Sequence, residues 1–417
     1  MDSNWKNLRI NEQRFKSDFD ELCQIGKFGA TGVSRPALSD AHSEARRWFH
    51  RKAREAGLIT HIDGAGNHSA RLECNRKGAK SLLMGSHLDS VPNGGRYDGA
   101  LGVLAALEVL RSLKENNIPL AVNLEAIDFT DEEGILVSFL GSFAFSGKLT
   151  TEDLTNPRGN RLELENRLKQ AGMSAEGILA ARCDPGTLAG YLELHVEQGP
   201  LLEAQGVDIG IVSNISGISF YRLTYIGKAG HAGTISMQDR RDASQGSSAF
   251  TLAARQIVLE QFPECFSNVG VARYEPGLFN VIPEKAEIAL EFRSAYMDQF
   301  TKLKSALLQR AEEEAARFNL GLNIEFLGQR IPVELDETMR HAILEASESL
   351  GLRSAPIISR AGHDAQAMAD VCPTGMIFIP SVAGISHSPD ELTHWQDCVN
   401  GANVLLQTAL RIAISFS

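Results

Sequence analysis

Apolar and polar positions change their rhythm about halfway along the chain. In the first half, apolar runs of strand length alternate with segments of helical period. SDAHSEARRWFHRKAREAG opens on a Ser/Asp cap and closes on Gly57, KSLLMGS reads as a buried strand, DGALGVLAALEVLRSLKENN as a mostly apolar helix, and LAVNLEAIDFTDEEG as a further strand. Strand, helix, strand in that order predicts a parallel sheet with a right-handed crossover and helices on its faces.

Around Val212 the pattern shifts. GISFYRLTYIGKAGHAG alternates like a half-buried strand, DASQGSSAFTLAARQIVLEQF is helical, SNVGVARYEPG and EKAEIALEFRSA form a strand pair, and MDQFTKLKSALLQRAEEEAARFN is a long amphipathic helix. With a last strand near LNIEFLG, this order predicts a small α+β sandwich of ferredoxin type. We place it as an insert at residues 213–328. Residues 1–212 and 329–417 then form one outer domain, completed by the strand GMIFIPS and the closing helix DCVNGANVLLQTALRIAI.

A length of 417 residues suits two domains, and the net charge of -11 argues against a nucleic-acid groove or an anionic membrane surface as partner. A small molecule or another protein is the expected partner. The first residues carry charges throughout and no apolar core of a signal peptide, and no window approaches a membrane span, so a cytoplasmic protein is expected. The six cysteines form no CxxC pair, which fits reduced thiols. Any metal must then be held by His, Asp and Glu.

Such residues gather where the chemistry of this fold class is done. Ligands bind at the carboxyl ends of the strands of a parallel sheet. His87 and Asp89 follow KSLLMGS, Asp98 opens the next helix, and Asp131, Glu132 and Glu133 end the next strand. His195 and Glu197 end GYLELHVEQG, and His387 follows GMIFIPS after a short loop. Each motif alone has a bland reading, as a capped loop, a solvated turn or a core histidine. Together they crowd carboxylates on one rim, and cations are the simplest remedy for their repulsion. A set without thiolate suits zinc, manganese, cobalt or nickel. Two such ions activating a water make a hydrolase.

The blocks GSHLDSVPNGGRYDGALGVLAALE, DFTDEEG, ELHVEQGPLLE, GKAGHAGTISMQDRRDA, FNVIPEKAEIALEFR, AGHDA and GISHSPDE run through nearly the whole chain. In content and order they resemble the M20-type dinuclear amidohydrolases, in the branch of N-carbamoyl-L-amino-acid hydrolases, allantoate amidohydrolases and β-ureidopropionases. The resemblance implies an αβα-sandwich, metallopeptidase-like catalytic domain with an inserted ferredoxin-like dimerisation (lid) domain. It implies two divalent metal ions per subunit, one held by His87 and His195, the other by Glu133 and His387, with Asp98 bridging. Asp89 would accept a hydrogen bond from His87, and Glu132 would be the general base. His231 would stabilise the oxyanion across a homodimer interface, Asn280 and Arg293 would grip the substrate carboxylate, and Gln198 would contact the ureido group. His195, where peptidases of the wider clan place a carboxylate, favours the carbamoyl-cleaving branch.

The chain departs from the family pattern in SRAGHDA, where Arg360 stands at a usual glycine and is expected to modify substrate choice. Smaller departures are Ser236 after HAG and Leu136–Val137 after DEEG. The leading expectation is hydrolysis of N-carbamoyl-L-amino acids to amino acid, carbon dioxide and ammonia. Allantoate amidohydrolase is the first alternative, then a dipeptidase or aminoacylase, then a homologue that binds metal without turnover.

Overall fold

The computed structural model describes residues 4–157 and 159–415, so residues 1–3, 158 and 416–417 of the expected outer domain lie outside the described residues. The chain divides into two compact units. One comprises Met1–Ser213, Leu335–Ile357 and His363–Ser417, the other Asn214–Glu334 and Ile358–Gly362.

Four parallel strands form the centre of the first unit's sheet, in the order Thr374–Ile379, Leu188–Val196, Ser81–His87, Asn123–Phe129. All four are buried along nearly their whole length, as strands covered on both faces must be. The sheet is not parallel throughout, which corrects the expectation from the sequence. His68–Leu72 and Ile59–Ile62 extend one side as an antiparallel hairpin, and Ile209–Ile215 pairs antiparallel with Thr374–Ile379 on the other. The hairpin follows from its connection, the five residues DGAGN, which is too short for a crossover. Asp63 closes that turn by accepting the N–H groups of Ala65 and Asn67, both at 2.9 Å.

Helix Asp40–Glu55 starts where Ser39 accepts the N–H of His42 and ends just before Gly57, which sits at φ +67. Helix Ala100–Glu115 is buried along nearly its whole length and packs against the closing helix Trp395–Ser415. Leu101, Leu104 and Leu107 share the main core with Val404, Leu405 and Ala409. Truncating one of these leucines to alanine is expected to cost about 2–5 kcal/mol.

The second unit is a four-stranded antiparallel sheet in the order Phe266–Glu275, Lys285–Ser294, Gly217–Ile226, Gly321–Arg330. Helices Ala243–Gln261 and Met297–Arg317 cover one face. Alternate residues of Lys285–Ser294, namely Ala286, Ile288, Leu290 and Phe292, point inward against Phe250, Leu303 and Leu307. A short pair joins Gly230–His231 to Val281–Ile282, a feature too brief for a periodic pattern to announce.

Candidate metal centre

The first unit brings eight of the named residues together at the carboxyl ends of its strands. His87 is the last residue of its strand. The chain after it is held by Asp128, whose Oδ1 accepts the N–H of Leu88 at 2.7 Å and whose Oδ2 takes Nε of Arg46 at 2.7 Å. Gly99 follows Asp98 at φ +63, and a Cβ there would lie 2.3 Å from the His87 ring, so only glycine lets the Asp98 turn approach the imidazole. Asp131 is in the left-handed region at φ 56, and its carboxylate accepts the N–H groups of Ile135, Leu136 and Val137. That turn fixes the two glutamates that follow.

Among the described residues three groups have ligand atoms within 4.8 Å of one another, His87–Asp98–His195 and Asp98–Glu133–His387, which share Asp98, and Glu193–His195–His363. Asp98 Oδ1 lies 3.1 Å from His195 Nε2 and 3.5 Å from His87 Nε2, and Oδ2 lies 3.4 Å from His387 Nε2. Glu133 Oε2 is 3.5 Å from His387 Nε2, and Glu132 Oε2 is 3.4 Å from His87 Nε2.

The ring contacts assign the tautomers. His87 Nδ1 faces the main-chain oxygen of Asp89 at 3.0 Å, and His195 Nδ1 faces that of Val196 at 2.9 Å. A carbonyl can only accept, so both Nδ1 atoms carry hydrogen and both Nε2 atoms turn toward Asp98. The expected bond from His87 to the Asp89 carboxylate is thereby corrected. Asp89 Oδ1 stands 3.9 Å away, while Oδ2 accepts the N–H of Glu133 at 3.3 Å, because the tight chain reversal puts the peptide oxygen closer to the ring.

The charges strain toward a cation. Burial lowers the His87 imidazole, but Glu132, Asp98 and Asp89 outweigh it and lift it well above its ordinary value. Burial likewise lowers His195, and Asp98 with Glu193 raises it on balance. The hydrogen bond to Asp98 pushes His387 up to about 9. Burial raises Asp98, but His195, His387 and His87 hold it well below the carboxylate range. Burial pushes Glu132 well up and Glu133 up to about 7. Imidazole lone pairs and carboxylates so placed are a fitting donor set for divalent ions of the zinc or manganese kind.

Gln198, at φ 59, reaches into the same cluster, and its Nε2 donates to Asp98 Oδ2 at 2.7 Å. His363 stacks edge-on against His195 with ring centroids 4.6 Å apart. Buried groups that the sequence did not single out support the site. Glu193 accepts from Ser86 Oγ at 2.8 Å and from the N–H of Ala365 at 2.8 Å, beneath His195. Its signal was a carboxylate two residues before a candidate ligand, inside an otherwise apolar strand.

The remaining named residues belong to the second unit. His231 is exposed, and its Nδ1 accepts the N–H of Gly233 at 3.1 Å, which leaves Nε2–H as an outward donor. The Asn280 carbonyl accepts the N–H of Ala232 at 3.0 Å, so these two segments run together. Arg293 donates from Nε to Glu291 at 2.6 Å and from Nη1 to the Arg360 carbonyl at 2.9 Å. The Arg360 guanidinium lies 4.7 Å from the centre of the Phe266 ring, and Phe266 is the cross-strand partner of Arg293.

All six cysteines are free. Among the described residues no helix is long and apolar enough to cross a membrane.

The model of peptidase family M20/M25/M40 matches residues 83–411 of the chain. An N-carbamoyl-L-amino acid amidohydrolase of Geobacillus stearothermophilus is 37% identical over 412 residues, covering 97% of this chain and 99% of the relative. A ureidoglycolate hydrolase of Arabidopsis thaliana is 30% identical, covering 98% of this chain and 88% of the relative. Among solved structures, an amidase of the hydantoinase/carbamoylase family from Burkholderia multivorans superposes with a TM-score of 0.87 at 33% identity, covering 97% of this chain and 98% of the other.

Proposed function

The chain belongs to peptidase family M20/M25/M40, and within that family of hydrolases we propose that it cleaves N-carbamoyl-L-amino acids to the free amino acid, carbon dioxide and ammonia. The observation that carries this reading is the convergence of His87, His195 and His387 on the two oxygens of one buried carboxylate, Asp98. Full-length similarity to an N-carbamoyl-L-amino acid amidohydrolase supports the substrate class.

His87 and His195 would hold one divalent ion, Glu133 and His387 a second, with Asp98 between them. Ions there supply Lewis acidity and a more acidic water. Glu132 is the general base: buried, outside the ligand groups and beside His87, it takes a proton from the attacking water and returns it to the departing amine nitrogen. The carbamate left behind decomposes without further help. Asp89 steadies this arrangement through its carbonyl on His87 and its carboxylate on the Glu133 N–H.

His231 carries the oxyanion, a role supported by its free-standing Nε2–H donor. Arg293 and Asn280 grip the substrate carboxylate, with the planar guanidinium suited to a bidentate bond, and Gln198 orients the ureido group. The second unit acts as lid and dimerisation domain. Its outer strand Phe266–Glu275 is an exposed sheet edge carrying Phe266, Val271 and Tyr274, which suits pairing with a second copy. Arg360 biases substrate choice through its guanidinium, which lies over the ring of Phe266, the cross-strand partner of Arg293. If Arg360→Gly leaves the ranking of substrates unchanged, that role is wrong.

The test is a panel of N-carbamoyl-L-amino acids, their D-enantiomers, allantoate and ureidoglycolate offered to metal-reconstituted protein. Ammonia and amino acid in equal amounts from the L-compounds alone support the proposal. Release from ureidoglycolate alone would favour the activity named for the Arabidopsis relative.

A further inference from the structure

The two loops that bring Asp98 and His387 to the site meet at one carboxylate. Glu391 is 2% exposed. Its Oε1 accepts the N–H of Tyr97 at 2.9 Å and the N–H of Asp98 at 3.1 Å. Its Oε2 accepts from Ser386 Oγ at 3.0 Å, and that hydroxyl also lies 3.1 Å from Asp98 Oδ2. One serine proton is thus shared between two carboxylates. The Glu391 N–H donates to the Ser388 carbonyl at 3.0 Å and closes the turn that follows His387.

The opposing loop is shaped to admit this side chain. A Cβ at Gly95 would lie 2.2 Å from both Cδ and Oε1 of Glu391, so the carboxylate occupies the room that the glycine leaves. Its partners are main-chain N–H groups and a hydroxyl, none of them charged. Burying an acid is costly, and here two N–H groups and a hydroxyl from the loops of both candidate ligands offset the cost.

We propose that Glu391 is a positioning residue of the metal centre, tying the Tyr97–Asp98 main chain to the Ser386–His387 loop so that both residues face one ion. The proposal rests on the reading of Asp98 and His387 as ligands. Glu391 belongs to none of the ligand groups.

Zinc affinity by chelator competition tests it, measured on Glu391→Ala, Glu391→Gln, Gly95→Ala and Asp98→Asn beside the parent, with kcat and KM taken separately. Glu391→Ala is expected to weaken zinc binding about 10–100-fold, the usual effect of losing a group that orients a ligand, and to lower kcat more than KM. Glu391→Gln keeps an acceptor for the two N–H groups and restores most of the affinity. Gly95→Ala also weakens zinc, and adds little when combined with Glu391→Ala because both act through one contact. Should Glu391→Ala fail to fold, Gly95→Ala and Glu391→Gln carry the comparison. Parent-like zinc affinity in Glu391→Ala or Gly95→Ala, with Asp98→Asn impaired, overturns the proposal and leaves the metal centre standing. Parent-like affinity in Asp98→Asn overturns the metal centre and the proposal with it.

Discussion

Asp98 Oδ1 lies 3.1 Å from Nε2 of His195, the ring nitrogen turned away from the Val196 carbonyl and also met by the N–H of Gly99 at 3.1 Å. Such a contact is held together by a proton or by a cation. The ring proton of His195 is already committed to the Val196 carbonyl on the far side, so the near side is available to a metal.

Exhaustive chelation is therefore expected to abolish activity, and zinc, manganese, cobalt or nickel to restore it. Thermal melts should show the same ions raising the midpoint, by the equivalent of about 2.7 kcal/mol at a hundredfold excess over the dissociation constant. Unchanged activity and melting after chelation would contradict the donor set.

Removing the shared carboxylate should be worse than disturbing its surroundings. Asp98→Asn is expected to reduce activity beyond the about 10–100-fold typical of outlying partners, with metal content per chain falling in parallel. Metal analysis of the purified variant checks this, and full occupancy with normal turnover would rule it out.

Arg46 and Asp128 form a buried pair at 2.7 Å, and Asp128 also holds the Leu88 N–H next to His87. Arg46→Ala is expected to destabilise the fold by about 3–5 kcal/mol, because it strands a buried carboxylate. Denaturant unfolding measures this directly. A change under about 1 kcal/mol would mean that the pair is replaceable, as exposed pairs are.

Three imidazoles lie near that pair, His42 and His50 buried and His68 half-buried. Burial holds His50 down to about 4 and His68 to about 2, from an ordinary 6.5, with Arg46 adding to both. Burial also holds His42 well below 6.5. The folded chain binds fewer protons at these rings than the unfolded chain does, so their contribution to stability is fully present above pH 6.5 and is lost as pH falls toward 4. Unfolding midpoints measured between about pH 7.5 and about pH 5 should decline less steeply in His68→Gln than in the parent. Parallel slopes would show that these rings do not titrate on unfolding.

Much of this is legible in the sequence. His87, Asp98, Glu133, His195 and His387 sit beside apolar runs that can only be buried strands, so their arrival at one sheet rim followed from the connectivity. The hairpin Ile59–Ile62 with His68–Leu72 was not legible, because polar residues on both faces erase the two-residue period. Nor was the choice of the Asp89 carbonyl, at 3.0 Å from the ring, over its carboxylate, at 3.9 Å, which depends on how the chain turns after His87. Glu391 lay within a recognised block, yet its role came from a contact with Tyr97 and Asp98 far away in the chain. Ile358–Gly362 likewise joins the second unit through space and not through sequence.

The central claim is that this cluster hydrolyses a carbamoyl group with Glu132 as its base. The most direct test is kcat/KM for an N-carbamoyl-L-amino acid, measured on metal-reconstituted parent and Glu132→Gln side by side with metal content determined for both. The account predicts a fall of about 10²–10⁴ in the variant with its metal retained, and the release of ammonia by the parent. Equal rates in the two proteins would contradict it.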